Sequence, residues 1–348
     1  MLAFIQRHTG TQYCKPSNLT SIRLSPMGYL CNHNCPMCWR QDVPKENRTA
    51  LATDETNNLT ISEYGKLFSE APITLRTVDI QGGGEPLLYP HINELLTLIK
   101  KRNIRGCLIT NGCLLSDTHM STLISCKWDE VRFSVNAGSA AVYKKVNGVD
   151  DYKNVTDRIT ALKKKRGKRT YPIITLFYVL QKDNINDIKA FIRLTEKLRV
   201  DKIYFSFLSP YTAKHLMMPS NAVQQTIRYL QKIRPTLHVK HNIHDALLTL
   251  KTYAEWGKTY RQKSYFRDKY CQIVQSNLEF SSQGLAVPCC FAYDDHPFST
   301  IREKTITQIW KETQAFRIKM AKGRFFPFCY KNCSWDLAKK SQRDVDPS

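Results

Sequence analysis

Apolar and polar positions follow one another along this chain in two rhythms. Six short apolar runs, at 21–25, 75–80, 106–110, 130–135, 172–180 and 202–208, have the length and the polar flanks of buried β-strands. Between them the period lengthens. From His91 to Lys101 the residues Ile92, Leu95, Leu96 and Ile99 recur at helical spacing, and Ile188, Phe191, Ile192, Thr195 and Leu198 repeat that spacing later. Strands alternating with helices of this length predict right-handed βαβ units on a parallel sheet. Six such units predict an α/β chain folded as a partial (β/α)6, TIM-like barrel, with its chemistry at the C-terminal ends of the strands.

Beyond residue 210 the pattern changes. Two helical stretches, 221–233 and about 242–256, follow one another without a strand between them and predict a helical bridge over 211–262. A hairpin is expected from Gln275–Phe280 and Leu285–Pro288, turned by Ser281-Ser282-Gln283-Gly284, and then a helix over about 305–320. The expected organisation is a barrel domain over 1–210, the bridge, a small cysteine-rich domain over 263–340 and a tail over 341–348. The third unit is too short to bury a sizeable core and needs a metal staple.

Composition adds three constraints. The 348 residues are 42% hydrophobic and 24% charged, an ordinary globular balance. No run approaches the roughly 18 apolar residues that span a membrane. The first residues lack a charged segment followed by an apolar one, so a cytoplasmic protein is expected. The net charge of +22 points to acidic partners: nucleic acid, a phosphorylated substrate or an acidic peptide. Of the 12 cysteines, those at 31–38 and 271–333 are grouped in a way that suits metal binding better than a disulfide framework.

The first group is Cys31-x3-Cys35-x2-Cys38, three thiols in one loop directly after the first strand. Zinc usually collects four ligands as paired knuckles or with histidines, whereas three thiolates on a [4Fe–4S] cube leave one iron open to a non-protein ligand. The following strands end in Gln81-Gly82-Gly83-Gly84-Glu85-Pro86, Ile109-Thr110-Asn111-Gly112 and Arg132-Phe133-Ser134-Val135-Asn136. Over residues 20–210 this order of motifs resembles the radical S-adenosylmethionine (SAM) superfamily. The resemblance implies that the methionyl group of SAM chelates the open iron. An electron from the cluster, supplied by a donor such as a flavodoxin or ferredoxin, then cleaves the sulfonium to a 5′-deoxyadenosyl radical that takes a hydrogen atom from the substrate. It also implies that Gly83, Gly84 and Glu85 bind the methionyl amino group and that Ser134 and Asn136 bind the ribose hydroxyls or the carboxylate. Asn111 and the segment 205–208, ending at Leu208, complete the SAM site. One departure is Met37, at a position that is usually aromatic in the family.

The second group is Cys271, Cys289, Cys290, Cys329 and Cys333. With Gly284-Leu285-Ala286-Val287-Pro288 before Cys289 and Thr305–Trp310 after it, this segment resembles the SPASM and shorter twitch extensions of radical SAM enzymes. The resemblance implies that Cys271, Cys289, Cys329 and Cys333 hold one auxiliary [4Fe–4S] cluster; a closed four-cysteine zinc site is the alternative. Cys290 is then a packed thiol or a hydrogen-atom donor for epimerisation. The segment 253–270 interleaves aromatics with cations, as single-stranded nucleic-acid binders do, or forms a helix with one packed and one solvated face. His33 reads as a loop residue. The expected activity is a radical SAM oxidoreductase or epimerase acting on a ribosomal peptide or on a sugar or aminocyclitol. The competing expectations are a tRNA-modifying enzyme of the same family and a two-cluster electron carrier or scaffold.

Overall fold

The computed structural model describes residues 18–42, 57–208, 214–259, 273–289 and 298–322. Strands β1 (Ser21–Leu24), β2 (Thr77–Ile80), β3 (Arg105–Thr110), β4 (Glu130–Ser134), β5 (Ile173–Leu180) and β6 (Lys202–Phe207) fall on the six apolar runs. Between them lie α1 (Ile61–Ser69), α2 (Ile92–Lys101), α3 (Asp117–Ser125), α4 (Ala140–Asn147), α5 (Tyr152–Arg166) and α6 (Ile188–Leu198). The six strands pair in parallel in sequence order. The chain therefore builds the expected partial barrel, and every C-terminal strand end opens on the same side.

Alternation within the strands sets two faces. Ile22, Leu24, Val78, Ile80, Leu108, Val131 and Phe133 are closed from solvent in one core with Leu95, Leu96 and Ile99 of α2 and Phe191 of α6. Burying each such side chain is worth about 1.5–3 kcal/mol. The intervening residues face inward, and many are charged: Arg23, Asp79 and Glu279 stand in register on three adjoining strands. Helix α1 starts on a capping box in which Thr60 and Glu63 satisfy each other's backbone amides. Glu63 also binds Arg302 at 2.6 Å, which ties the C-terminal region to the barrel.

Three features differ from the expectations. Helices α7 (Ser220–Ile233) and α8 (Ile243–Thr259) form as predicted, but a strand, β7 (Lys240–His241), separates them and pairs in parallel with β6. Two residues are too few to carry a strand period. The predicted hairpin, β8 (Asn277–Phe280) and β9 (Ala286–Val287), is antiparallel, and β8 also joins β1 in parallel, so the barrel sheet runs on into it. The resulting order is β7-β6-β5-β4-β3-β2-β1-β8-β9. Among the described residues the two edge strands do not meet, so the barrel is open. The single helix expected over 305–320 is two, α9 (Ile306–Glu312) and α10 (Gln314–Ala321), which part at Thr313, where ψ opens to −5°. Cys271, Cys290, Cys329 and Cys333 lie outside the described residues, as do residues 260–270 of the aromatic and basic segment.

Candidate active site

Beyond β1 the chain enters a loop that braces itself. The Cys38 amide donates to the Cys35 carbonyl at 3.0 Å, and the Gln41 amide donates to the Cys38 carbonyl at 2.9 Å. The Gln41 side chain reaches back to Asn34 and to the Cys35 carbonyl, and the buried Arg40 guanidinium donates to the His33 carbonyl. From behind, Gly148 closes α4 with φ +71° and rests against this loop; a Cβ there would sit 2.5 Å from the Asn34 carbonyl oxygen.

The three cysteines face a cavity of about 380 Å³, whose walls include Met37, Gly83, Gly84, Glu85, Asn111, Ser134, Asn136 and Leu208. Of the expected SAM site, these eight residues and Phe207 thus line the space that the cysteines line, whereas Phe205 and Ser206 of the segment 205–208 do not. Burial pushes the Cys31 thiol up, and burial together with Cys38 and Cys31 pushes the Cys35 thiol up to about 12. Two neighbouring thiols that resist ionisation, beside a third, suit a cationic metal centre, which offsets both the desolvation and the mutual repulsion of thiolates. The donor set fits an iron–sulfur cluster with three protein ligands.

The glycine-rich turn after β2 is held against the stem of the cysteine loop. The Glu85 amide donates to the Leu30 carbonyl at 2.8 Å, and a Cβ on Gly84 would meet that same oxygen at 2.2 Å, so no larger residue fits. The Glu85 carboxylate accepts from Thr110 Oγ1, from the Asn111 amide at 2.8 Å and from the Leu87 amide at 3.0 Å. Burial pushes its carboxyl above the ordinary range against those bonds. The side chain therefore fastens the glycine turn to the end of β3, and what the turn offers a ligand is its backbone.

Asn136 has a similar character. Its Oδ1 accepts from the Val179 amide at 2.9 Å and its Nδ2 donates to Asn147 and to the Ser134 carbonyl, so its amide is occupied within the protein. Asn147 donates to the Val135 carbonyl at 2.9 Å, and Asn184 holds the Asn136 and Val179 carbonyls at 2.9 and 2.8 Å. Three buried asparagines thus fix the ends of β4 and β5. By contrast, the half-buried Ser134 hydroxyl has no protein partner among the described residues and is free to meet a ligand. Met37 packs its sulfur 3.3 Å from Gln181 Nε2, which anchors the side chain at the position the family usually gives to an aromatic.

Several wall residues had no role expected of them. Arg40 lies two positions past the last cysteine, Asn147 ends α4, and Gln81 precedes the glycines. His33, expected to be an ordinary loop residue, is buried with Nε2 3.5 Å from Asp151 Oδ2; burial lowers its pKa, and Asp151 opposes that. Deeper on the inner face, Glu279 is shut from solvent with Oε1 3.9 Å from Arg23 and 3.5 Å from Gln81, and burial pushes its carboxyl up to about 7. Of the auxiliary-cluster cysteines, Cys289 alone is among the described residues; it follows β9 and is partly exposed.

Comparison with known proteins agrees with this geometry. Residues 25–195 match the family model of the radical SAM superfamily, and residues 271–334 match that of the SPASM iron–sulfur cluster-binding domain. A probable GTP 3′,8-cyclase of Metallosphaera sedula is 25% identical over 200 residues, which are 57% of this chain and 58% of that protein. A second, of Saccharolobus islandicus, is 25% identical over 217 residues, 62% of this chain and 66% of that protein. The chain thus spans less than two thirds of the curated relatives' length. Among solved structures, SuiB of Streptococcus suis bound to precursor peptide SuiA superposes with TM-score 0.64 at 17% identity, over 93% of this chain and 71% of that one. Native anSMEcpe with bound AdoMet superposes with TM-score 0.64 at 18% identity, over 92% and 88%. At those identities the likeness is one of fold.

Proposed function

The chain belongs to the radical SAM superfamily and carries a C-terminal SPASM domain, and on that premise we propose that it removes a hydrogen atom from a residue of a peptide substrate, leading to dehydrogenation or epimerisation. When bound, the [4Fe–4S] cluster and SAM supply a hydrogen-abstracting carbon radical. Cys31, Cys35 and Cys38 would hold the cluster, and the backbone of Gly83 and Gly84 would receive the methionyl ammonium. The Ser134 hydroxyl would meet the ribose or the carboxylate, and Met37 and Leu208 would flank the adenine. Glu85 and Asn136 act by holding the glycine turn and the β4 end in place. The SPASM domain brings auxiliary iron–sulfur binding, for which Cys271, Cys289, Cys329 and Cys333 are the proposed ligands.

The observation that carries this reading is the convergence of the three cysteines and all the strand-end motifs on one cavity at the C-terminal ends of the strands. Support for a peptide comes from the similar folds solved with a precursor peptide and with a Kp18Cys peptide, and from the basic charge. The test is mass spectrometry of peptide treated with the reduced, reconstituted protein and SAM in D2O. Loss of two hydrogens marks dehydrogenation, and uptake of one deuterium at carbon marks epimerisation. In the second case Cys290→Ala abolishes product while SAM cleavage continues. Modification of GTP or tRNA but of no peptide contradicts the proposal.

A further inference from the structure

The strands have a second open end, and a larger cavity lies there. About 930 Å³ in volume, it is lined by the first residues of β3, β4, β5, β6 and β7, from Arg105 to Lys240, so it sits at the N-terminal ends of the strands, away from the cysteine loop. Its carboxylates Glu130 and Asp201 are already neutralised. Glu130 is held by Arg105 at 3.1 Å and Arg132 at 2.9 Å, with Lys202 at 3.6 Å. Burial pushes its carboxyl up, yet those cations and Thr175 outweigh burial and hold it down to about 2. Asp201 is held by the buried Arg166 and by Lys163.

Three further cations in the same wall, Arg169, Arg199 and Lys240, have no carboxylate partner among the described residues, against the single unpaired acid Glu196. Arg199 occupies the left-handed position that closes α6, φ +49°, where glycine would sit without strain. An arginine is thus placed at the rim in a backbone conformation that disfavours it. Beside these charges stands Tyr171, 45% exposed, with Leu237 and Val239. The last element of the wall, β7, is the terminal strand of the sheet, and its outer edge faces no other strand among the described residues.

We infer that this cavity is a docking site for an extended acidic peptide segment, which lies along the β7 edge with its carboxylates on Arg169, Arg199 and Lys240. An edge strand adds an extended peptide by main-chain hydrogen bonds, and flanking pockets select its side chains. A lone phosphate fits less well, because the cations without a carboxylate partner come from three separate segments interspersed with carboxylates rather than from one converging cluster. Nucleic acid calls for a series of stacking rings, and the wall offers only two exposed rings among the described residues, Tyr171 and His238.

The probe is a fluorescein-labelled decapeptide of alternating glutamate and valine, followed by fluorescence anisotropy at about 0.15 M salt. Wild-type protein binds it, and the double variant Arg199→Glu, Lys240→Glu binds at least about tenfold more weakly. The variant still releases 5′-deoxyadenosine from SAM at the wild-type rate, which shows that the fold and the opposite end are intact. A lysine–valine decapeptide reverses the preference, and N-methylation of alternate amides weakens the acidic peptide. Equal binding by both proteins, or binding of single-stranded RNA more tightly than the peptide with the same dependence on Arg199 and Lys240, overturns the inference.

Discussion

Glu279 carries a carboxyl into a wall where its Oε2 has no hydrogen-bond partner among the described residues. The groups that face it are Arg23 on β1, Asp79 on β2 and Gln81 just past β2. Burial holds its folded-state carboxyl near 7, against an ordinary value of 4.5 in the unfolded chain. A raised acid contributes its stability fully below the unfolded value and loses it as pH rises through the folded one. Glu279→Gln removes that penalty. Its melting temperature relative to wild type should therefore climb between about pH 5 and about pH 8, by the equivalent of about 2–3 kcal/mol. A difference independent of pH would show that the carboxyl titrates normally. No sequence pattern marks such a residue, because Glu279 lies in an apolar strand run and its burial follows from β8 joining β1. Asn136 makes the same point from the other side. Its motif predicts an amide that meets SAM, whereas the fold spends that amide on Val179, Ser134 and Asn147.

At the scale of elements, the ends of β4 and β5 are fixed by side chains rather than by the ladder. Asn184 is fully buried and receives the Gln181 amide at 2.9 Å while holding the Asn136 and Val179 carbonyls. Asn184→Ala strands these groups away from water, at about 1–3 kcal/mol for each one left unpaired. A total loss of about 2–5 kcal/mol is expected in denaturant unfolding, together with weaker SAM binding as the Ser134 and Val179 wall loosens. A loss below about 1 kcal/mol would show that water replaces the asparagine. Strand and helix positions were legible wherever an element was long enough to show its period: β1 to β6, α2, α6, α7 and α8 lie within a few residues of their apolar patterns. The two-residue β7 has no period to read, and the break at Thr313 is a change in one backbone angle that the apolar pattern does not report. The parallel pairing of β8 with β1 joins residues more than 250 positions apart, and local pattern does not report on that.

For the whole molecule, one sheet carries two differently built ends. The C-terminal strand ends gather thiols, glycine backbone and a free hydroxyl around a cavity suited to a cluster and SAM. The N-terminal ends gather unpaired cations beside an edge strand. The net charge of +22 was visible in composition, but the meeting of Arg169, Arg199 and Lys240 around one cavity was not, because they are far apart in sequence and come together only through the fold. The most direct measurement of the central claim is 5′-deoxyadenosine released from SAM by the reduced, reconstituted protein, beside a variant with Cys31, Cys35 and Cys38 all replaced by alanine. Wild type should release it. The variant should release none while keeping the iron of its C-terminal domain, about four atoms if that domain holds one cluster. No 5′-deoxyadenosine from wild-type protein with its iron in place, or equal amounts from both proteins, would contradict the assignment of the cysteine loop as the site of SAM cleavage.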